Sequence, residues 1–234
     1  SREAERDREG AGPEAGGEVK VVLISTYELG RQPFGLASPA AWLREAGAEV
    51  VCLDLSRSVL AVPSGDSVRS VPAVRSADSV LSVSSEDFIC FADVIAFYVP
   101  MHTATRLAIE WLPRIQAMNP RAHLCFYGLY APLNENYLRR LGAQTILGGE
   151  FEEGLVALVR RLEAGDGSVT VSDAQPPEEA QAEPVISLAR QRFRVPDRRG
   201  LPELGRYARL ELPNGERRVA GHTEATRGCK HLCR

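Results

Sequence analysis

From Val19 onward, short runs of consecutive apolar residues alternate with longer stretches in which apolar positions recur at helical spacing. The runs are VKVVLIS at 19–25, EVVCLDL at 49–55, DVIAFYV at 93–99, AHLCFYG at 122–128 and AQTILGG at 143–149. Continuous rather than alternating apolar character marks strands covered on both faces, as in parallel sheets. Between them, Ser38 as cap, Pro39 at the first helical position and Gly47 as stop predict one helix. Ala104, Leu107, Ala108, Trp111, Leu112 and Ile115 make the apolar stripe of another, with Thr103 as its cap and Pro113 expected to kink it near its end. A short helix precedes the third strand, one over about 133–141 stops at Gly142, and the last starts at Glu150 with Phe151, Leu155, Leu158, Val159 and Leu162 on one face. Right-handed crossovers then predict an α/β fold: a five-stranded, doubly wound, parallel flavodoxin-like (Rossmann-like) sheet of order 2-1-3-4-5.

Four segments fall outside this rhythm. Residues 1–18 are charged, Gly-rich and poor in large apolar groups, and read as a disordered leader. Residues 56–85 repeat Ser-Val without helical period where a few residues would suffice, which predicts a surface insertion or an extra edge hairpin. Residues 164–184, rich in Gly, Pro, Ala and acid, read as a linker. Residues 185–234 are Arg-rich and Pro-punctuated and complete no strand–helix unit, so they read as the start of a second domain, truncated. The first residue, Ser1, fits a piece of a longer protein or a processed product.

Composition narrows the classes. A net charge of -3 over 234 residues offers no general phosphate-neutralising surface, so nucleic acid is not an expected partner. No apolar run reaches the roughly 20 residues of a spanning helix, and the N-terminus lacks a signal-peptide core, so a soluble cytoplasmic protein is expected. Cys52, Cys90 and Cys125 sit singly in apolar segments and read as small core hydrophobes. Cys229 and Cys233, in a polar Gly-flanked stretch, do not.

Ligands of an open parallel sheet bind beyond the carboxyl ends of its strands. The loops there are 26–39, 100–105, 128–132 and 148–152, all built with small residues that let backbone approach a ligand. Gly148 and Gly149 suit either a phosphate or ribose contact or a plain tight turn. No G-x-G-x-x-G follows the first strand, which removes the main support for a dinucleotide, and the acid cluster of a phospho-receiver is also missing there.

Gln32-Pro33-Phe34-Gly35-Leu36, Gly128 and Gly148-Gly149-Glu150 together resemble the cobalamin-binding domain that precedes many radical S-adenosylmethionine domains, over about residues 19–163. The resemblance implies that Gly128, Leu129, Gly148, Gly149 and Glu150 enclose the nucleotide tail. Glu28, Leu29, Met101, His102, Thr103 and Thr105 would lie nearer the corrin, and Gly35 is implied as a further cofactor-binding residue. The chain departs from methyltransferase-type domains, whose Asp-x-His-x-x-Gly supplies the cobalt-ligating His; its loop reads Thr-Tyr-Glu-Leu-Gly. His102 is the nearby imidazole, either a loop hydrogen-bonder or a ligand or proton donor.

Two cysteines spaced as Cys229 and Cys233 are compatible with a zinc pair, a thiol pair or no site. Arg227-Gly228-Cys229-x-x-x-Cys233 resembles the first two cysteines of the radical S-adenosylmethionine signature, whose third would lie beyond Arg234. That resemblance implies Cys229 and Cys233 as ligands of a [4Fe–4S] cluster with one open iron for S-adenosylmethionine. It also implies an external electron donor such as a flavodoxin or ferredoxin, and radical chemistry such as methyl transfer to an unactivated centre of an unknown substrate. Residues 196–210 resemble a subfamily with a Cys-rich tail. The intact protein is thus expected to be an enzyme and this chain alone inactive. The alternatives are a non-catalytic corrinoid- or nucleotide-binding module, or a Rossmann-like domain of unrelated purpose.

Overall fold

Residues 18–57, 85–165 and 186–225 are described in the computed structural model of the protein. Five strands form where apolar runs occur: β1 (Lys20–Ser25), β2 (Glu49–Asp54), β3 (Val94–Tyr98), β4 (His123–Tyr127) and β5 (Thr145–Gly149). They pair in parallel in the order β2-β1-β3-β4-β5, as a flavodoxin-like sheet requires, and a sixth, two-residue strand, β6 (Ile186–Ser187), extends the edge beside β5. The period-two alternation of each strand divides the core into two layers. Val21, Leu23, Cys52, Ala96, Tyr98, Cys125, Tyr127 and Leu147 face α1 (Phe34–Glu45) and α6 (Glu152–Glu163). Val22, Ile24, Ile95, Phe97, Phe126 and Ile146 face the other side, against α2 (Ser85–Cys90), α3 (His102–Met118), α4 (Tyr130–Leu133) and α5 (Glu135–Arg140). Each fully buried Leu, Ile or Phe of these layers contributes about 2 kcal/mol.

The helices depart from expectation in instructive places. α1 begins at Phe34, so Ser38 is no cap: it lies inside the helix and its hydroxyl donates to Glu152 Oε1 of α6 at 2.6 Å. Pro39 is correspondingly not at the first helical position. Lacking an N–H, it leaves the Gly35 carbonyl without its helical donor, and the buried Tyr127 hydroxyl fills the gap, donating to Gly35 O at 2.8 Å. α3 starts at His102 with Met101 as its cap, so Thr103 stands in the first turn, and the helix continues through Pro113 to Met118. The helix expected over 133–141 is two short ones; Asn134 leaves helical geometry between them and its side-chain amide donates to the Tyr130 carbonyl. α6 begins at Glu152 rather than Glu150. Cys52 and Cys125 are buried, but Cys90 is exposed: at the end of α2 the neighbouring Ile89 takes the inward position, and one residue further turns about 100° around the helix.

After β6, the described residues up to 225 form an extended segment with a 3-10 turn at Leu204–Arg206 and a hairpin of β7 (Arg209–Glu211) and β8 (Arg217–Val219). Nearly all of the leader, of the 56–85 insertion and of the linker, and both Cys229 and Cys233, lie outside the described residues. No helix among the described residues is long and apolar enough to cross a membrane.

His123 opens β4 at the amino edge of the sheet, its Nε2 2.8 Å from Thr145 Oγ1. Burial, helped by the Arg161 charge, pushes its pKa down to about 4. A depressed histidine pKa means the unfolded chain binds the extra proton between that value and about 6.5, so the stability it confers is complete above pH 6.5 and is lost as pH falls. His123→Gln keeps a hydrogen-bonding side chain that does not titrate. Between pH 7 and pH 5 the unmodified protein should lose roughly 2 kcal/mol more than this variant, read from urea unfolding of both proteins; equal losses contradict the assignment.

Candidate site at the carboxyl edge of the sheet

The carboxyl ends of β3 and β4 and the turn after β5 meet in an aromatic cluster. Tyr98, Tyr127 and Phe151 pack with ring centroids 4.9 to 5.9 Å apart. Gly35 sits directly on the Tyr98 ring, and a Cβ there would fall 2.1 Å from it. Only glycine lets α1 approach the sheet this closely. That approach fixes the loop after β1, in which Thr26 Oγ1 donates to Ala104 O of α3 at 2.8 Å and Leu29 and Gly30 turn the chain with positive φ angles of 51° and 76°.

Residues 186–225 then pass over this edge. Ile186 and Ser187 pair beside Gly148 and Gly149, and the Glu150 amide donates to Ser187 O at 2.8 Å. Arg194 lies over the Trp42 ring, 4.1 Å from its centroid, and pairs with Glu45. The Asp197 amide donates to Ala37 O at 2.8 Å and its carboxylate pairs with Arg44 at 2.9 Å. Hydrogen bonds from Arg199 and Arg44 hold that carboxyl well below the usual range. Gln32 donates to Pro202 O and accepts from Arg198, which also donates to His222 O at 2.6 Å. Tyr207 is buried and donates to Asp54 Oδ2 at 2.8 Å, while the Ala208 amide donates to Gly30 O. His222 meets Phe34 edge-on and Glu224 Oε1 lies 3.4 Å from the Tyr98 hydroxyl.

Ionisable groups gather underneath. Burial pushes the Glu28 carboxyl up to about 7, and the charges of Glu224 and Asp54 add to the rise against the opposing Arg31. Asp54 is also raised by burial, in spite of hydrogen bonds from Ser56 and Tyr207. Burial and the Arg31 charge lower the His222 imidazole, which therefore favours the neutral form. A buried carboxyl near neutrality beside a neutral imidazole is able to exchange protons or to donate lone pairs to an electrophile.

The residues expected from the sequence divide into three groups. Glu28 is buried within this cluster. Leu29, His102, Thr103 and Leu129 are exposed, and Met101 half-buried, on the loops and helix starts after β1, β3 and β4; Thr105 is buried, its hydroxyl donating to Met101 O. Gly35, Gly128 and Gly149 lie in close contact with other parts of the chain. Gly35 accommodates Tyr98, Gly128 has φ 112° with a Cβ position 3.0 Å from Val99 O, and a Cβ on Gly149 would lie 2.0 Å from Ser187 O. Gly148 is buried beneath β6 and Glu150 is half-buried at its side. The sequence reading missed Asp54, Tyr207, His222 and Glu224. An acid ending an otherwise apolar strand was the available signal for Asp54; none marked the other three, which reach the site only through the path of residues 186–225.

Replacing Tyr207 with phenylalanine removes the donor to the buried Asp54 carboxyl and should loosen this segment by about 1 to 2 kcal/mol. Tryptic cleavage at Arg209 of Tyr207→Phe should then be roughly 5 to 30 times faster under native conditions; an unchanged rate contradicts the docking. The chain matches no protein-family model, no curated protein and no solved structure.

Proposed function

We propose that residues 19–163 bind a corrinoid at the carboxyl edge of the sheet, as the cofactor-carrying part of a cytoplasmic radical S-adenosylmethionine enzyme. The observation that carries the reading is the apolar exposure on the carboxyl-edge segments after β1 and β4, on the side of the sheet where a doubly wound fold takes its ligand. Leu29, Leu129 and Leu133 are 52%, 68% and 72% exposed there, beside half-buried Met101. Large apolar side chains on ligand-facing loops suit a broad, flat, mostly apolar group. His102 and Thr103, also exposed, supply polar contacts at its rim.

The fit is to the ring rather than the tail. Gly149 lies against Ser187 and the Glu150 amide is taken by the same carbonyl, so Gly148, Gly149 and Glu150 offer no nucleotide-tail cradle while β6 is paired. Gly35 is likewise filled by Tyr98. The ring-side residues Leu29, Met101, His102, Thr103 and Leu129 would hold the group, positioning it and excluding water from one face. When bound, a corrinoid supplies a cobalt centre able to carry a methyl group. The motif at Cys229 and Cys233 supports the radical half of the reading through its Arg-Gly-Cys-x-x-x-Cys pattern alone. A [4Fe–4S] cluster, S-adenosylmethionine, an external electron donor and an unknown substrate belong to the intact enzyme under this proposal.

Mixed with hydroxocobalamin, the protein should retain the pigment through desalting with a shifted visible spectrum. Leu129→Asp combined with Leu133→Asp alters exposed positions only and should weaken retention at least tenfold, an effect of about 1.4 kcal/mol. Colourless protein after desalting, or equal retention by the double variant, contradicts the reading.

A further inference from the structure

Glu28 lies on the loop after β1, and His222 and Glu224 lie near the far end of the described chain, yet one ligand atom of each falls within 4.8 Å of the other two. His222 Nε2 and Glu224 Oε1 are 3.9 Å apart. Glu28 is only 6% exposed, and its buried Oε2 has no hydrogen-bond partner among the described residues. A buried carboxylate beside an imidazole and a second carboxylate, with one oxygen left without a donor among the described residues, is an acceptor in need of a cation. We propose that Glu28, His222 and Glu224 form a zinc-type divalent metal site that clasps residues 222–224 to the loop after β1.

The donor set suits the assignment, since one imidazole nitrogen and two carboxylate oxygens are zinc ligands, and three protein ligands leave a position for water. Metal–ligand bonds of about 2.1 Å in tetrahedral arrangement set ligand atoms about 3.4 Å apart, so the three groups need close by little more than an ångström. The His222 and Glu224 side chains are 22% and 24% exposed, which gives the metal and its water an entry path. Neighbouring charge is mixed: Asp54 adds to the two carboxylates, while Arg31 and Arg198 face His222. Arg198 is committed to Gln32 and to the His222 carbonyl, and so is held at the backbone side of the imidazole residue. The site goes beyond the corrinoid reading and does not rest on it.

The test is a zinc titration against a chromophoric chelator, using the whole chain with Cys229→Ser and Cys233→Ser so that thiolates cannot take the metal. One equivalent should bind, and Glu28→Gln and His222→Ala should each weaken binding at least tenfold, the least that even second-layer changes at metal sites cost. Because Glu28→Gln alters a buried position, cobalt(II) provides a second readout: its visible bands should appear in the parent and vanish in His222→Ala, which changes a partly exposed side chain. Absence of zinc binding by the parent, or equal affinity in parent and His222→Ala, overturns the proposal.

Discussion

The Gly35 carbonyl is the point on which the carboxyl edge depends. Pro39 withdraws the amide that would have bonded to it, and the Tyr127 hydroxyl, rising from the end of β4, replaces that donor at 2.8 Å. A helix carbonyl left bare in the core would cost about 1 to 3 kcal/mol. The substitution works only if the helix lies close to the sheet, and Gly35 against the Tyr98 ring provides that closeness. Glycine, proline and two tyrosines from three elements thus form one joint, with Phe151 packed on it from the start of α6. The Ser38–Glu152 hydrogen bond then ties α1 to α6 one turn further on.

From that joint follows the form of the carboxyl edge. Holding α1 on Tyr98 drops the preceding loop into the protein and buries Glu28, while leaving Leu29 at the surface. The same edge is partly closed by residues 186–225, which use β6 pairing, the Asp197–Arg44 pair and the Tyr207–Asp54 hydrogen bond as separate anchors. The buried Tyr207–Asp54 hydrogen bond outweighs the exposed ion pairs alongside it, such as Arg218–Glu216, because exposed pairs are screened by solvent. The result is an edge with two characters: acidic and covered over β1 and β2, apolar and open over β3 and β4.

Local pattern was enough to read the sheet. All five main strands fall within the apolar runs, and their order follows from crossover handedness. What escaped was decided by contacts between distant residues. Pro39 looks like a helix start because its compensating donor lies on another strand; β6 is two residues long and exists only because β5 offers an edge. Gly149, which ends β5, has a Cβ position 2.0 Å from Ser187 O, a close approach that the local sequence does not tell apart from a ligand contact. The carboxyl edge and its loops were legible from topology, whereas the meeting of Glu28 with His222 and Glu224 depends on a return path that no periodicity encodes.

Docking of residues 186–225 on the carboxyl edge is the claim to which the rest is attached, and amide hydrogen exchange reads it directly. The amides of Glu150, Asp197 and Ala208 donate to Ser187, Ala37 and Gly30 across the contact. Their exchange should be slowed together, to rates of the order found in α1, as expected of one cooperative unit. Exchange of all three at free-chain rates, with β1 to β5 still protected, would contradict the account.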